Sequence, residues 1–536
     1  CWSSYPACVG NCFFKGQVVM AVVLREFAAS HPTDVGVRDG RTALTWPQLN
    51  TLVNKIVNAI NASDLGPSRR VAVFAENSVE TALAHLCTLH AGGSSVPVNF
   101  HLNADEVAYI LKDSDTRLFF TGPENLERAI NAVALLDKAI PIVVWRPQGA
   151  VGAGVVTLDQ FIANASEDEP SSNVPPRPNL MYTSGTTGVP KGVELPPTMF
   201  AGGKNIDEHI AALQQNRFAL LGAHIVVGPM YHTGPLSGVR VLAAGTPVVI
   251  MEKFDPERVL QNIETYKVAS SVMVPTHFKR LLDLPLDVRK KYDVSSVKIM
   301  SHTGSACPID VKQQMIEWFG PVFVDAYGAT EVGTVCSIAS EDWLTQQGSV
   351  GRVIPPFTRC VVVDDDGNEL PAGTEGRLFF EDSTGRGVVY PNDPEKSAKA
   401  HLRPGVFTLG EIGYVTTDGF VYITDRFSDM IVSGGVNIYP AEAEKVLIEH
   451  PQVADVAVIG VPDKDMGEAV KALVVPQDMN NAPTPEELIA LCREHLAGYK
   501  CPRTVEIVST VGRNAMGKIN KRTLRAPYWE SGRTIG

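Results

Sequence analysis

The stretch YTSGTTGVPKG, residues 182–192, gathers four Ser/Thr side chains, three glycines and Lys191 behind the short apolar run NLMY. These groups suit a phosphate. Glycines let the backbone approach closely and expose N–H groups, hydroxyls donate hydrogen bonds, and a lysine supplies a point charge. The spacing is not that of the ATPase loop G-x-x-x-x-G-K-[ST]. Gly185 is followed by Gly188, Pro190 directly precedes Lys191, and Gly192 stands where Ser or Thr is required. A Gly/Ser/Thr surface turn has the same composition, so the stretch acquires meaning only from its company.

Four further stretches could do chemistry. DAYGATEVG (325–333) follows the apolar run VFV, which places it at a strand's carboxyl end. FTLGEIGYVTTDGFVYITDRFSDMIVSGGVNIYPAEAE (407–444) combines acidic turns, an arginine and a Gly–Gly loop. GRNAMGKINKR (512–522) sets a lysine in a glycine turn near the chain's end, and GPMYHTGP (228–235) packs aromatic, histidine and glycine together before a helix.

The elements that must position these residues alternate strand and helix. VAVFA (71–75) precedes SVETALAHLCTLHAGG, whose apolar residues recur at three-to-four spacing and which ends on Gly92 and Gly93. SSVPV (94–98) precedes NADEVAYILKDS, with Asn103 as N-cap. RLFF (117–120) and PIVVW (141–145) continue the pattern, which resumes with PVVIM (247–251), DPERVLQNIETYKV, SSVMV (270–274), VKIM (297–300), PIDVKQQMIEWFG and VFVDA (322–326). Such alternation predicts an α/β fold with mainly parallel, doubly covered sheets and a ligand beyond the strands' carboxyl ends. From about residue 346 the texture turns to Gly, Pro and alternating β-formers, with Asp366–Gly367 as a hairpin turn, which predicts a small antiparallel β unit. After DRFSD (425–429) a separate α+β block begins, and SEDEPSSNVPPRP (166–178) reads as a solvated linker.

Composition narrows the class. The 536 residues exceed one ordinary domain, and 44% hydrophobic with 20% charged residues is the balance of a globular protein with a large core. A net charge of -12 argues against a nucleic-acid surface, and no apolar run reaches the length of a membrane span. The nine cysteines show no C-x-x-C pair and read as free thiols of a reducing cytosol, hence a cytoplasmic protein. Residues 1–19 lack the plan of a signal peptide and read as an unstructured or artefactual tail, the globular part starting at Met20.

Five motifs in this order and spacing resemble the adenylate-forming superfamily of acyl-CoA synthetases, luciferases and peptide-synthetase adenylation domains. The resemblance runs from TALTWPQLN near residue 40 to about 525, and MVPTHFKRLL, DRFSDMIVSGGVNIYPAEAE and the PYW tail are similar to actinobacterial fatty-acid and steroid-side-chain CoA ligases. It implies an N-terminal adenylation domain (20–424) of two α/β subdomains plus a β-barrel-like unit, a hinge (425–429), and a small mobile C-terminal α+β domain (430–536). The implied reaction has two halves: a carboxylate attacks the α-phosphate of ATP to give acyl-AMP and pyrophosphate, and the thiol of coenzyme A then displaces AMP.

The same resemblance assigns roles. Thr183, Ser184, Gly185, Thr186, Thr187, Gly188 and Lys191 match the loop on the β- and γ-phosphates. Thr330 and Glu331 match the contacts to the α-phosphate and Mg2+. Tyr327 matches the residue that stacks on adenine, with Asp325, Ala326 and Gly328 beside it and Gly304, Ser305 and Ala306 as a backbone wall. Lys518 matches the lysine that reaches the α-phosphate and the substrate carboxylate. Arg426 matches the ribose-binding arginine; its acidic companion is Glu411, in TLGEIG, where the superfamily usually has Asp. Ser428 stands at the hinge position that is commonly Asp or Lys. Ser433, Gly434 and Gly435 match the loop lining the pantetheine tunnel. His232 matches the aromatic gate of the acyl site, whose other candidate walls are Tyr231, Ser237, Gly238, Ser301, His302, Gly328, Val332 and Gly333. With no Lys or Arg among these, an apolar acid is expected, a medium-to-long fatty acid or a steroid side-chain acid; aryl acids stay open. The alternatives are an acyl-AMP ligase that loads a carrier protein and a catalytically impaired homologue. A homodimer is compatible with the resemblance.

Overall fold

The computed structural model describes residues 23–183, 190–304, 307–364, 366–390, 394–426, 430–512, 519 and 521–529. A five-stranded, wholly parallel sheet takes the order Ser94–Pro97, Arg70–Phe74, Thr116–Thr121, Ile142–Val144, Val155–Thr157. The expected helix after VAVFA spans Val79–His90, capped by the Ser78 hydroxyl, which accepts from Thr81 N–H. The next spans Ala104–Asp113, and Asn103 and Glu106 close a reciprocal capping box at its start.

A second sheet begins parallel and becomes antiparallel. Val248–Ile250, Ala223–Val226, Val268–Met273, Ile299–His302 and Phe323–Ala329 run parallel. The strand from Phe323 then turns back on Gly333–Ala339, and antiparallel pairing carries the sheet through Ser349–Val353, Val421–Arg426 and Glu411–Val415 into the expected β unit. One expectation shifts here. DAYGATEVG does not follow its strand: residues 325–329 are the strand, and the turn falls at 330–332. Gly328 permits this, since a Cβ there would collide with the Gly333 carbonyl oxygen.

The small C-terminal unit is its own α+β layer. Ile431–Ser433, Gly467–Pro476 and Val453–Asp463 pair antiparallel, Thr504–Ile507 adds a parallel strand, and helices Pro440–Ile448 and Pro485–His495 carry the core of Leu447, Leu488 and Cys492. Among the described residues no helix is long and apolar enough to cross a membrane. Cys87, Cys307, Cys336, Cys360, Cys492 and Cys501 are free thiols.

Candidate active site

The phosphate-loop stretch emerges from a two-stranded antiparallel ribbon, Leu180–Thr183 against Lys191–Glu194, with Thr183 and Lys191 paired at its open end. A strand–loop–strand frame explains why the strand–loop–helix spacing of the ATPases fails. Ser184, Gly185, Thr186, Thr187 and Gly188 lie outside the described residues, as do Ser305, Ala306, Ser428 and Lys518.

The hairpin of Tyr327 and Gly333 presents Glu331 at its tip. The Glu331 carboxylate accepts the Tyr390 hydroxyl at 3.2 Å, and its backbone carbonyl accepts Arg386 at 3.1 Å. Val332 and Gly333 are held from behind: the Thr198 hydroxyl donates to the Val332 carbonyl at 2.6 Å. Tyr327 is half-buried with its ring 6.0 Å from Phe380. Next to it, Gly304 takes a positive φ of 88°, and the preceding Thr303 hydroxyl donates to the Ala326 carbonyl at 2.8 Å. Glu411 is 5% exposed and is the direct cross-strand partner of Arg426. An acid and an arginine fifteen residues apart in sequence (426 minus 411) are therefore neighbours in register.

Tyr231 and His232 head the helix Thr233–Arg240, with His232 at the N-cap position and the two rings 4.4 Å apart. Burial, reinforced by His101, pulls the His232 imidazole down to about 4, so it is neutral at pH 7. Gly234 brings this helix onto the sheet, its Cβ position 3.1 Å from Val272, while Gly238 lies against His224 and the Ser237 hydroxyl donates to the Gly234 carbonyl. Val272 is in register with Ser301. Parallel neighbours in register face the same way, so Ser301 looks towards this helix and His302 does not.

His302 corrects an expectation. It is fully buried on the opposite face, edge-on to Phe278 at 5.5 Å, with Nδ1 3.6 Å from Asp325. Asp325 shares that face and is held by Lys312 at 3.4 Å. Alternation along the strand decides both cases: His302 and Asp325 share one face of the sheet, while Ser301 is on the face of helix Thr233–Arg240.

From the small unit, Ser433, Gly434 and Gly435 reach the same place. A Cβ on Gly435 would lie 3.2 Å from Val274, and the Gly435 carbonyl oxygen is 3.9 Å from the Cβ position of Gly304. Gly434 and Gly435 have φ of 58° and 80°, which glycine adopts without strain. A cavity of about 240 Å³ opens at the seam, walled by His101 and Tyr231 of the large unit and by Ser433, Met466, Tyr499 and Arg503 of the small one. Tyr390, Tyr499 and Lys500 sit in no recognisable motif, and their roles come from tertiary pairing alone. Among the described residues no cluster of His, Cys, Asp and Glu could hold a metal by protein ligands only.

The two units thus meet at one seam, where Gly435 of the small one lies against Val274 and Gly304 of the large one. Residues 24–386 match the family model described as "AMP-binding enzyme", and residues 442–518 match "AMP-binding enzyme C-terminal domain". The chain belongs to the AMP-binding enzyme family and is an AMP-forming acid–thiol ligase. It is 32% identical over 512 residues, 91% of this chain and 95% of the relative, to the "3-[(3aS,4S,7aS)-7a-methyl-1,5-dioxo-octahydro-1H-inden-4-yl]propanoyl:CoA ligase" of Rhodococcus jostii (strain RHA1). It is 32% identical over 534 residues, 96% of this chain and 97% of the relative, to the "Fatty acid--[acyl-carrier-protein] ligase ScoC" of Streptomyces coeruleorubidus. Among solved structures, the amide bond synthetase McbA from Marinactinospora thermotolerans superposes with a TM-score of 0.78 at 27% identity, covering 92% of this chain and 97% of that one.

Proposed function

We propose that the protein activates an apolar carboxylic acid with ATP and passes the acyl group to coenzyme A, the acid being a medium- or long-chain fatty acid or a steroid side-chain acid. The observation that carries this reading is the meeting of Ser433–Gly435 with Val274 and Gly304, where a cavity between the units leads towards Tyr231 beside His232.

A carboxylate with an ordinary pKa near 4–5 is ionised at pH 7 and needs no general base. The obstacle is charge, an anion approaching a polyanion, and the groups required are cations and hydrogen-bond donors. In this reading Lys191 and the loop from Thr183 take the β- and γ-phosphates, Thr330 and Lys518 the α-phosphate, and Tyr327, with Ala326 and Gly328, the adenine. Glu411 and Arg426 take the ribose, and Glu411, one methylene longer than Asp, folds back to reach the diol.

The magnesium ion fits the donor set. Glu331 offers one carboxylate steadied by Tyr390, and a hard cation of this size takes one or two carboxylates plus phosphate oxygens and water. When bound, the ion neutralises charge on the phosphates. Neutral His232 forms the gate between the reacting carboxyl and the acyl channel along Ser237, Gly238, Ser301, Val332 and Gly333. The thiol then enters past Ser433, Gly434 and Gly435, and AMP leaves. In this reading Ser428 takes the role of the hinge position.

The test is a panel of carboxylic acids with ATP and magnesium, following pyrophosphate and then acyl-CoA by mass. Acyl-CoA from fatty or steroid side-chain acids supports the reading. Acyl-AMP that ignores coenzyme A but loads a carrier protein replaces its second half, and no pyrophosphate from any acid overturns it.

A further inference from the structure

The two units are joined at a buried ion cluster that the site's chemistry does not use. Lys500 of the small unit donates to Glu442 of its own unit at 2.8 Å and to Glu106 of the large unit at 2.8 Å. The three side chains are 3%, 3% and 12% exposed. Glu106 has a second duty, since its other oxygen accepts the Asn103 backbone N–H at 3.0 Å and closes the capping box of helix Ala104–Asp113. Lys500 thus meets a carboxylate already fixed in place.

The surrounding contacts make the turn before Lys500 a plug. Ala497 is buried in the core that includes Val107 and Leu111 of that helix. The Asn99 amide donates to the Tyr499 hydroxyl at 3.0 Å, and the Asn103 amide donates to the His495 carbonyl at 3.3 Å. The plug also abuts the acyl gate. Ring centroids step from Tyr499 to His101 (6.2 Å), His101 to Phe100 (4.4 Å), Phe100 to Tyr231 (5.2 Å) and Tyr231 to His232 (4.4 Å).

Glu442 and Lys500 stay together wherever the small unit goes, so only the Glu106 contact depends on docking. The seam cavity has the same dependence, because Tyr499, Ser433 and Arg503 wall it from one unit and His101 and Tyr231 from the other. The nucleotide wall of Tyr327, Glu331 and Glu411 belongs to the large unit alone. We propose that Glu106 is a positioning residue for thiol transfer: by receiving Lys500 it holds the small unit where the seam channel and the Ser433–Gly435 loop are complete. The proposal rests on the ligase reading above.

The experiment compares wild type with Glu106→Gln, whose amide oxygen can still accept the Asn103 N–H, and with Lys500→Met. Pyrophosphate release without coenzyme A reads acid activation. Consumption of supplied acyl-AMP on adding coenzyme A reads thiol transfer. Both variants should slow transfer by roughly tenfold or more and raise the KM for coenzyme A, as loss of a buried charge partner loosens a docked interface. Activation and the thermal midpoint of the large unit should change by less than about twofold and a few degrees respectively. The exchange E106K/K500E, which again sets one ammonium against two carboxylates, should recover part of the transfer rate. Equal loss in both steps, or no loss in transfer, overturns the proposal. Absence of pyrophosphate from wild type with every acid instead removes the ligase reading, and the proposal falls with it.

Discussion

Two buried lysines show how differently the two parts of this molecule are held. Lys312, on helix Ile309–Phe319, is 1% exposed, faces the single carboxylate of Asp325 at 3.4 Å and lies over the Trp343 ring at 4.7 Å. Burial lowers its pKa, and one distant carboxylate offsets that only in part. Lys500 is buried almost as deeply, yet its pKa is raised: burial works against the charge, but Tyr499 and two carboxylates, both at 2.8 Å, outweigh it. All of Lys312's partners belong to the large unit, so it braces a fixed wall behind Tyr327. Lys500's partners belong to both units, so it holds a seam. The same residue type stabilises a fold in one place and an arrangement in the other.

That contrast can be broken at several points. The largest effect is expected from Lys518→Ala, which should cut pyrophosphate release by about 100- to 1000-fold, the scale for one electrostatic donor at a reacting centre. It should leave transfer from supplied acyl-AMP nearly intact, and loss of both steps would place Lys518 elsewhere. Lys312→Met strands Asp325 and should cost about 3–5 kcal/mol of stability by urea unfolding. Both half-reactions should then fall together; a split would contradict its role as a brace.

Acid should separate the two units. His85, His224 and His277 are pulled down to about 3 and His90, His209, His232 and His302 to about 4, burial being the first cause in each. All seven belong to the large unit. Histidines that are neutral when folded but take protons when unfolded remove stability as pH falls from 6.5 towards 4. Calorimetry over that window should show the large unit's transition dropping while the small unit's holds. The smallest effect belongs to Glu411→Asp, which shortens a side chain and keeps its charge: the KM for ATP should move by about two- to fivefold, with the rate of thiol transfer at saturating acyl-AMP unchanged.

Much of this was legible in the sequence. The helices after VAVFA and SSVPV, the N-cap at Asn103 and the antiparallel unit after residue 346 all follow from local period and turn chemistry, which tertiary packing does not overrule here. Local signals misplace the turn of DAYGATEVG, because Ala329 continues a pairing set by Gly333 across the hairpin. They also cannot assign faces: Ser301 and His302 are adjacent in sequence, and only the register with Val272 and the contact with Phe278 tells which one is on the face of helix Thr233–Arg240. Glu106 and Lys500 lie 394 residues apart, and no spacing rule links them.

The central claim is tested most directly by incubating the protein with ATP, magnesium and a fatty or steroid side-chain acid, then adding coenzyme A. The account predicts pyrophosphate and acyl-AMP first, then acyl-CoA and AMP in equal amounts. Pyrophosphate without any CoA thioester, or no acid-dependent pyrophosphate at all, would contradict it.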